Sequence, residues 1–211
     1  MGKGHPAISF QPSAFNFTAN VGQAGMRLIL ANVLLGYLLL TNNLIPFTKA
    51  WVSSSAYAAN IETYYAPEDL PADHLIALYE QARRYIYVAV YGLTFPPIVK
   101  ALIEAKKRGV DVRVITDRGQ GNDPKQQRAL ALLHSASIPI RVNQHDGLMH
   151  LKQVVIDDEI NTTGSMNQTT SGHRYNDERL DVIADRAISI KARDKFLAMW
   201  QDPVRYENWK E

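Results

Sequence analysis

Cysteine is absent from this chain, which excludes thiol nucleophiles, thiolate metal centres and disulfide staples. Acidic residues are absent from residues 1–59, where Lys3, Arg27 and Lys49 are the only charges. The remaining 20 Lys and Arg face all 21 Asp and Glu from Asn60 onward, so that part carries about −1. A bulk cationic field of the kind that coats nucleic acid is therefore lacking, although a local groove can still be positive. Internal repeats are missing as well.

The acid-free start contains one apolar run, Leu28 to Leu40, preceded by Arg27 and followed by small residues ending in Ala56-Tyr57-Ala58-Ala59. A basic start, an apolar core and an A-x-A site are the parts of a secretory signal peptide, and cleavage after Ala58 or Ala59 leaves a domain from Asn60. Two features depart from that pattern: a stretch ahead of Arg27, which would vanish if translation began at Met26, and a long gap before Ala58. Read as an anchor instead, Leu28 to Phe47 is roughly long enough to span a bilayer, with Asn32, Asn42 and Asn43 weakening the span. A buried helix of the main fold is the third reading. The expected organisation is a leader over 1–59, acting as signal peptide or membrane anchor, and a domain over 60–211. The expected location is exported (secreted or periplasmic) or membrane-anchored. A domain of about 150 residues buries enough core to fold without disulfides.

From Asn60 on, strand and helix patterns alternate. Tyr85 to Tyr91 is β-branched and aromatic. Pro96-Pro97 opens a helix from Ile98 to Arg108, stopped by Gly109. Val112 to Asp117 reads as a strand, Asp123-Pro124 caps a helix through His134, and Ile138 to Val142 is a short strand. Leu151–Ile156 and Ile160–Ser165 form two strands joined by Asp157-Asp158-Glu159. Glu178 to Ala184 is another strand, and a helix from Ala187 to Gln201 is expected to bury Ile190, Phe196, Leu197 and Trp200. The pattern predicts an α/β fold, a mixed β-sheet sandwiched by helices.

One constellation stands out: His150-Leu151-Lys152, Asp157 five residues later, then Gly164-Ser165-Met166-Asn167. A chance match is improbable, on the order of 10⁻⁵. His150 and Lys152 point to one face of a strand, about 7 Å apart. The turn at Asp157-Asp158-Glu159 brings Gly164 and Ser165 back beside His150, and Gly164 permits close approach of a ligand to the backbone. Lys152, Ser165 and Asn167 offer one cation and uncharged donors suited to a phosphodiester whose phosphorus becomes five-coordinate. His150 is left as nucleophile or proton donor. No metal and no cofactor is expected.

These residues resemble the phospholipase D superfamily, in particular its short, one-motif bacterial members of the endonuclease-like kind. The similarity runs from about Asn60 to Tyr206 and includes the stretch Ala89 to Thr94, Lys107 to Val112, Ile138-Pro139 and Asn176-Asp177-Glu178. The resemblance implies an α/β/α sandwich and a phosphohistidine intermediate, with a second histidine protonating the leaving oxygen and then activating water. His150 becomes the nucleophile or acid, Lys152 and Asn167 bind phosphate, and Ser165 supports that site. Glu178 is expected to orient the imidazole through a hydrogen bond. Asp157 belongs to the motif and counts among the site residues, yet its place at a strand end suggests a turn-fixing role. His5, His74, His134, His145 and His173 all lack a lysine two residues on. The second histidine is therefore expected from another copy of the chain, in a two-fold homodimer.

The sequence departs from the family at Leu151, which should face away from the site, and at Met166 and Gln168, which would alter the leaving-group pocket. The expected activity is metal-independent phosphodiester hydrolysis, with nucleic acid as substrate. The alternatives are a phospholipid-cleaving phospholipase D or transphosphatidylase, which a membrane association through residues 28–47 would suit, and a non-catalytic binding module. Several lesser features carry competing readings. The acids at 157–159 could hold a cation and the pair His145–His150 a zinc, against solvated acids and unrelated histidines. Lys106-Lys107-Arg108 either suits a helix end or meets phosphates. Tyr85, Tyr87 and Tyr91 either pack in the core or stack bases. His173 and Arg174 are assigned to a loop at the cleft rim.

Overall fold

The computed structural model describes residues 59–210; the expected leader and its cleavage site lie outside them. Within them the elements run β1 (Asn60–Ala66), α1 (Pro71–Gln81), β2 (Tyr85–Val90), α2 (Pro96–Lys107), β3 (Asp111–Thr116) and α3 (Pro124–Ser135). Then follow β4 (Ile140–Asn143), β5 (Lys152–Ile156), β6 (Ile160–Gly164), α4 (Thr170–Arg174), β7 (Glu178–Ala184), α5 (Arg186–Gln201) and β8 (Tyr206–Asn208). The eight strands form one sheet in the order β1-β7-β6-β5-β2-β3-β4-β8. β2, β3 and β4 run parallel, joined by helical crossovers, and the other neighbours pair antiparallel. The mixed sheet between helices is the expected α/β/α architecture.

Strand β2 lies near the middle, and all six of its residues are buried, which is why it reads as a continuous apolar and aromatic run. Its two faces feed two cores. Ile86, Val88 and Val90 pack with α1, α2 and α3, through residues such as Leu75, Leu102 and Leu130. Tyr85, Tyr87 and Ala89 pack beneath α5 with Ala192, Phe196 and Met199. On α5 the fully buried residues are Ser189, Ala192, Phe196 and Met199. Of the four expected there, Phe196 is one, while Leu197 and Trp200 pack half-buried at the edge and Ile190 is also half-buried. The buried stripe thus sits slightly rotated from its expected position.

Four elements lack a strong sequence signal, each for a physical reason. β1 is an edge strand with little burial, so no apolar alternation marks it. α1 begins after Leu70, which adopts a left-handed conformation with no side-chain cap, so no capping residue announces it. β8 is three residues long. The segment assigned to a loop at the cleft rim is α4, a single turn whose N-cap Thr169 accepts from Gly172 N–H. His173 on it is buried at 1% exposure. Its Nδ1 accepts from the main-chain N–H of Ala72 at 3.3 Å and its ring packs on Phe95. It is a core histidine rather than a rim residue, and burial pushes its pKa below the usual value.

Asp157 anchors the end of the sheet away from the motif histidine. Its Oδ1 accepts from the main-chain N–H of Arg84 and Tyr85 and its Oδ2 from that of Arg83, each at 2.8 Å. Asp157 and Asp158 both have positive φ, as mirror-image hairpin turns require. Asp158 accepts from the Tyr85 hydroxyl at 2.9 Å and from Arg193 at 2.5 Å, with Arg84 beside it. Burial works against its charge, but the Tyr85 hydroxyl and the two guanidiniums outweigh burial and lower its pKa. These two carboxylates hold N–H groups and guanidiniums, which is a structural use of the acidic turn. Replacing Asp157 by Ala removes the acceptor of three main-chain N–H groups, that of Tyr85 buried and those of Arg83 and Arg84 partly so. The expected cost is about 3 kcal/mol, a fall in melting temperature of about 6–12 °C. Thermal unfolding of Asp157→Ala beside the unchanged protein checks this; an unshifted melting curve contradicts it.

Candidate active site

All of the motif residues except Asp157 gather at one end of the sheet, where β2 and β3 finish, β5 starts, β6 finishes and β7 starts. Val90 pairs with Lys152, and Tyr91 N–H donates to Leu151 O at 3.0 Å. The motif segment is thereby laid against the end of a fully buried strand. Met149, buried at 2%, anchors the approach, and its N–H donates to the buried carboxylate of Asp117 at 2.8 Å. The other oxygen of Asp117 accepts from Gly119 N–H at 2.8 Å. His150 therefore emerges exposed from a pinned backbone.

Lys152 Nζ lies 3.1 Å from Nδ1 and 3.0 Å from Nε2 of His150 and donates to His150 O at 3.0 Å. The Tyr91 ring stands 4.8 Å from the imidazole and 5.2 Å from the Lys152 ammonium. A hydroxyl-to-amide link from Gln120, whose Nε2 donates to Tyr91 Oη at 2.8 Å, holds that ring. Partial burial lowers the Lys152 pKa, and the negative charge of Glu178 pulls it part of the way back.

Asn167 is oriented by its own amide: Oδ1 accepts from Gly92 N–H at 3.1 Å, so the NH₂ group is turned away from Gly92 and is able to donate to an anion. The neighbouring backbone is clasped as well, since Thr94 and Phe95 N–H both donate to Gln168 O at 2.9 and 3.0 Å. Buried Gln126 completes the clamp, accepting from Leu93 N–H at 2.7 Å and donating to Thr116 Oγ1 at 2.9 Å. Sequence reasoning singled out neither Asp117 nor Gln126. A buried acid at a strand end and a buried amide in an otherwise apolar helix face were the available signals.

The structure corrects four expectations. Glu178 makes no bond to the imidazole: it accepts from the Ser165 hydroxyl and from Asn176 Nδ2, because Ser165 at the end of β6 stands between them. Gly164, at φ 142°, makes room for protein rather than ligand, since a Cβ there would sit 2.0 Å from Arg179 O. Met166 and Gln168 are both 3% exposed and belong to the interior, so neither shapes a leaving-group pocket. Asp157, counted with the site by its motif, lies at the opposite end of β5, in the turn-fixing role that its strand-end position suggested.

The lesser readings separate in the same way. Tyr85 and Tyr87 are buried under α5 and Tyr91 is against His150, so the three tyrosines share no platform. Lys107 pairs with Glu104 at 2.9 Å and Arg108 donates to Tyr79 O at 2.7 Å, which ties two of the three helix-end cations to the protein. Among the described residues no group of three His, Asp or Glu is placed to hold a metal. His74 stacks on Tyr64, His134 meets Trp209 and His145 meets Tyr206. Within one subunit, the described residues thus bring no second imidazole to His150.

A depression of about 570 Å³ adjoins Ser165 and Glu178, walled by Tyr65, Glu68, Asp69, Asp177 and Arg179. Arg179 is held by Asp181 at 2.6 Å, so the wall beside the donor set is acidic. Leu148 and Leu151, flanking His150, are 59% and 38% exposed.

Residues 75–200 match the family model described as cardiolipin synthase, PLD-like domain. The chain is 32% identical over 145 residues to a mitochondrial cardiolipin hydrolase of Xenopus tropicalis, covering 68% of each protein. It is 32% identical over 142 residues to a phospholipase D of Rickettsia prowazekii, covering 67% of this chain and 66% of that one. These alignments span about two thirds of the relatives' length. Among solved structures, Nuc from Salmonella typhimurium, a phospholipase D family member, superposes with a TM-score of 0.68 at 25% identity, covering 72% of this chain and 99% of its own. NucT from Helicobacter pylori, with a TM-score of 0.63 at 21% identity, is similar in fold.

The electrostatics of Lys152 are directly measurable. In an NMR titration with ¹³C-labelled lysine, Lys152 should lose its proton at lower pH than the exposed lysines, because burial disfavours its charge. Glu178→Gln removes the charge that opposes this, so the Lys152 midpoint should fall further. A midpoint that rises in the variant, or one equal to that of the exposed lysines, contradicts the arrangement.

Proposed function

The chain belongs to the phospholipase D-like family of phosphodiesterases, and on that premise we propose that it hydrolyses phospholipid headgroup esters through a phosphohistidine, as a homodimer. An imidazole nitrogen of His150 attacks phosphorus, the P–O bond to the leaving alcohol breaks, and the partner subunit's His150 protonates the departing oxygen. That same histidine then takes a proton from water, whose oxygen attacks phosphorus and breaks the N–P bond, leaving phosphatidate. Lys152 and the NH₂ group of Asn167 stabilise the charge on the non-bridging oxygens. Ser165, tied to Glu178, holds the adjoining backbone.

The dimer is favoured by the site itself, which has one imidazole where this chemistry needs an acid and a nucleophile. The exposed Leu148 and Leu151 on either side of His150 offer apolar surface for a symmetric contact. An exported or membrane-anchored location through residues 28–47 suits a lipid substrate.

The observation that carries the choice of substrate is the acidic wall next to the donor set. Glu68, Asp69, Asp177 and Glu178 line the depression that adjoins Ser165. A polynucleotide lying there would press further phosphates against them, whereas phosphatidylcholine presents one phosphate and a cationic headgroup, and cardiolipin only one further phosphate. Nucleic acid is the second reading. It is favoured by Lys100, Lys125 and Arg128, three cations on the helices beyond Gly92.

The test uses the purified full-length protein in excess chelator, with phosphatidylcholine and cardiolipin vesicles, plasmid DNA and RNA, beside His150→Ala. Chelator-resistant release of phosphatidate is expected, falling about a thousandfold in the variant. Cleavage of DNA or RNA alone would replace the substrate, and equal activity in His150→Ala would remove the mechanism.

A further inference from the structure

A groove of about 800 Å³ runs between α2 and α3, within the size range of small-molecule sites. Its floor is apolar, made by Val99, Ile103, Ala129 and Leu132. Val99 and Ala129 are buried, while Leu132 is 58% exposed, a large apolar side chain that no element among the described residues covers. Three cations, Lys100, Lys125 and Arg128, stand around the mouth. The two carboxylates of the groove are already engaged, Glu104 with Lys107 at 2.9 Å and Asp123 with the main-chain N–H of Lys125 at 2.7 Å. An apolar trough of this size matches a hydrocarbon chain, and the cations at its mouth tolerate an anionic group nearby.

The inner end of the groove is lined by residues that support the active site. Gly92 and Thr169 line it, and Gly92 N–H is the same group that positions the Asn167 amide at 3.1 Å. Gln120 lines it too and holds the Tyr91 ring beside His150. A diester whose phosphorus sits over His150 therefore has two directions for its substituents: the acidic depression beside Ser165 and this groove. The headgroup suits the first. We propose that the groove between α2 and α3 seats an acyl chain of the lipid substrate, its glycerol end at Gly92 and its chain over Ile103 and Leu132. This assignment rests on the phospholipid reading above. A polynucleotide would use the three cations but has no counterpart for the apolar floor.

The test substitutes the two side chains that are not fully buried, Ile103→Ser and Leu132→Ser, in the full-length protein, with melting curves to confirm folding. Hydrolysis is compared on long-chain dipalmitoyl and short-chain dibutyroyl phosphatidylcholine in mixed micelles, and on the chain-free bis(p-nitrophenyl) phosphate. KM for the long-chain lipid should rise about tenfold, with kcat and both other substrates changed less than about twofold. Binding of a pyrene-chain phosphatidylcholine to His150→Ala, with and without Leu132→Ser, should weaken by a similar factor. Equal effects on all three substrates, or none on any, overturn the groove while leaving the hydrolase. Cleavage of DNA instead of lipid, with pyrene-lipid binding still weakened by Leu132→Ser, overturns the phospholipid-substrate reading and with it the groove's role in substrate binding, leaving only an acyl-chain site. Absence of both lipid binding and lipid hydrolysis overturns both.

Discussion

Antiparallel pairing of β5 with β2 is the constraint on which the site depends. β2 is buried on both faces, so its position is fixed by two cores at once, and any strand paired to it inherits that precision. Because Val90 faces Lys152, the lysine cannot slip by one residue without turning its ammonium to the other face. The next hydrogen bond, Tyr91 N–H to Leu151 O, carries the register one step beyond the strand and sets where His150 emerges. Asp117 then fixes the main chain just before it. The imidazole is exposed, but its backbone is as well determined as the interior.

Much of this was legible in the sequence, for reasons that differ by element. The central strands and the crossover helices announce themselves because burial on two faces or one stripe forces an apolar pattern. Glu178–Ala184 coincides with its expected span, and Asp123 caps α3 as its position suggested. The edge strand β1 and the uncapped α1 were silent because neither burial nor a capping side chain marks their starts. At the site, spacing correctly implied that His150, Lys152 and Ser165 meet at one sheet end. The partner of Glu178 was not legible, since a carboxylate two strands away from an imidazole can as easily meet the serine between them. The interior places of Met166, Gln168 and His173 were hidden for a related reason. Residues in loops and single turns have no period from which a direction can be read.

The two sides of the donor set formed by Lys152, Ser165 and Asn167 differ in character. Toward β1 and β7 the surface is acidic; toward α2 and α3 it is an apolar trough with a cationic mouth. On the proposed function, such asymmetry would give a diester a preferred orientation before any chemistry begins, and orientation is a large part of what an enzyme supplies to a phosphoryl transfer. Partial burial lowers the pKa of Lys152, and the charge of Glu178 works against that shift.

The motif itself is a composite. Asp157 binds three main-chain N–H groups at the far end of β5, and Gly164 exists to admit the carbonyl of Arg179. Neither touches the place where phosphorus would sit. A descendant that had lost all reactivity but still needed this hairpin would keep both, and would go on resembling an enzyme to any pattern search that weights them equally with His150. If the proposed mechanism holds, the informative letters for telling a live member from a vestigial one are the imidazole, the ammonium and the amide of Asn167; the other two certify only that the scaffold has folded.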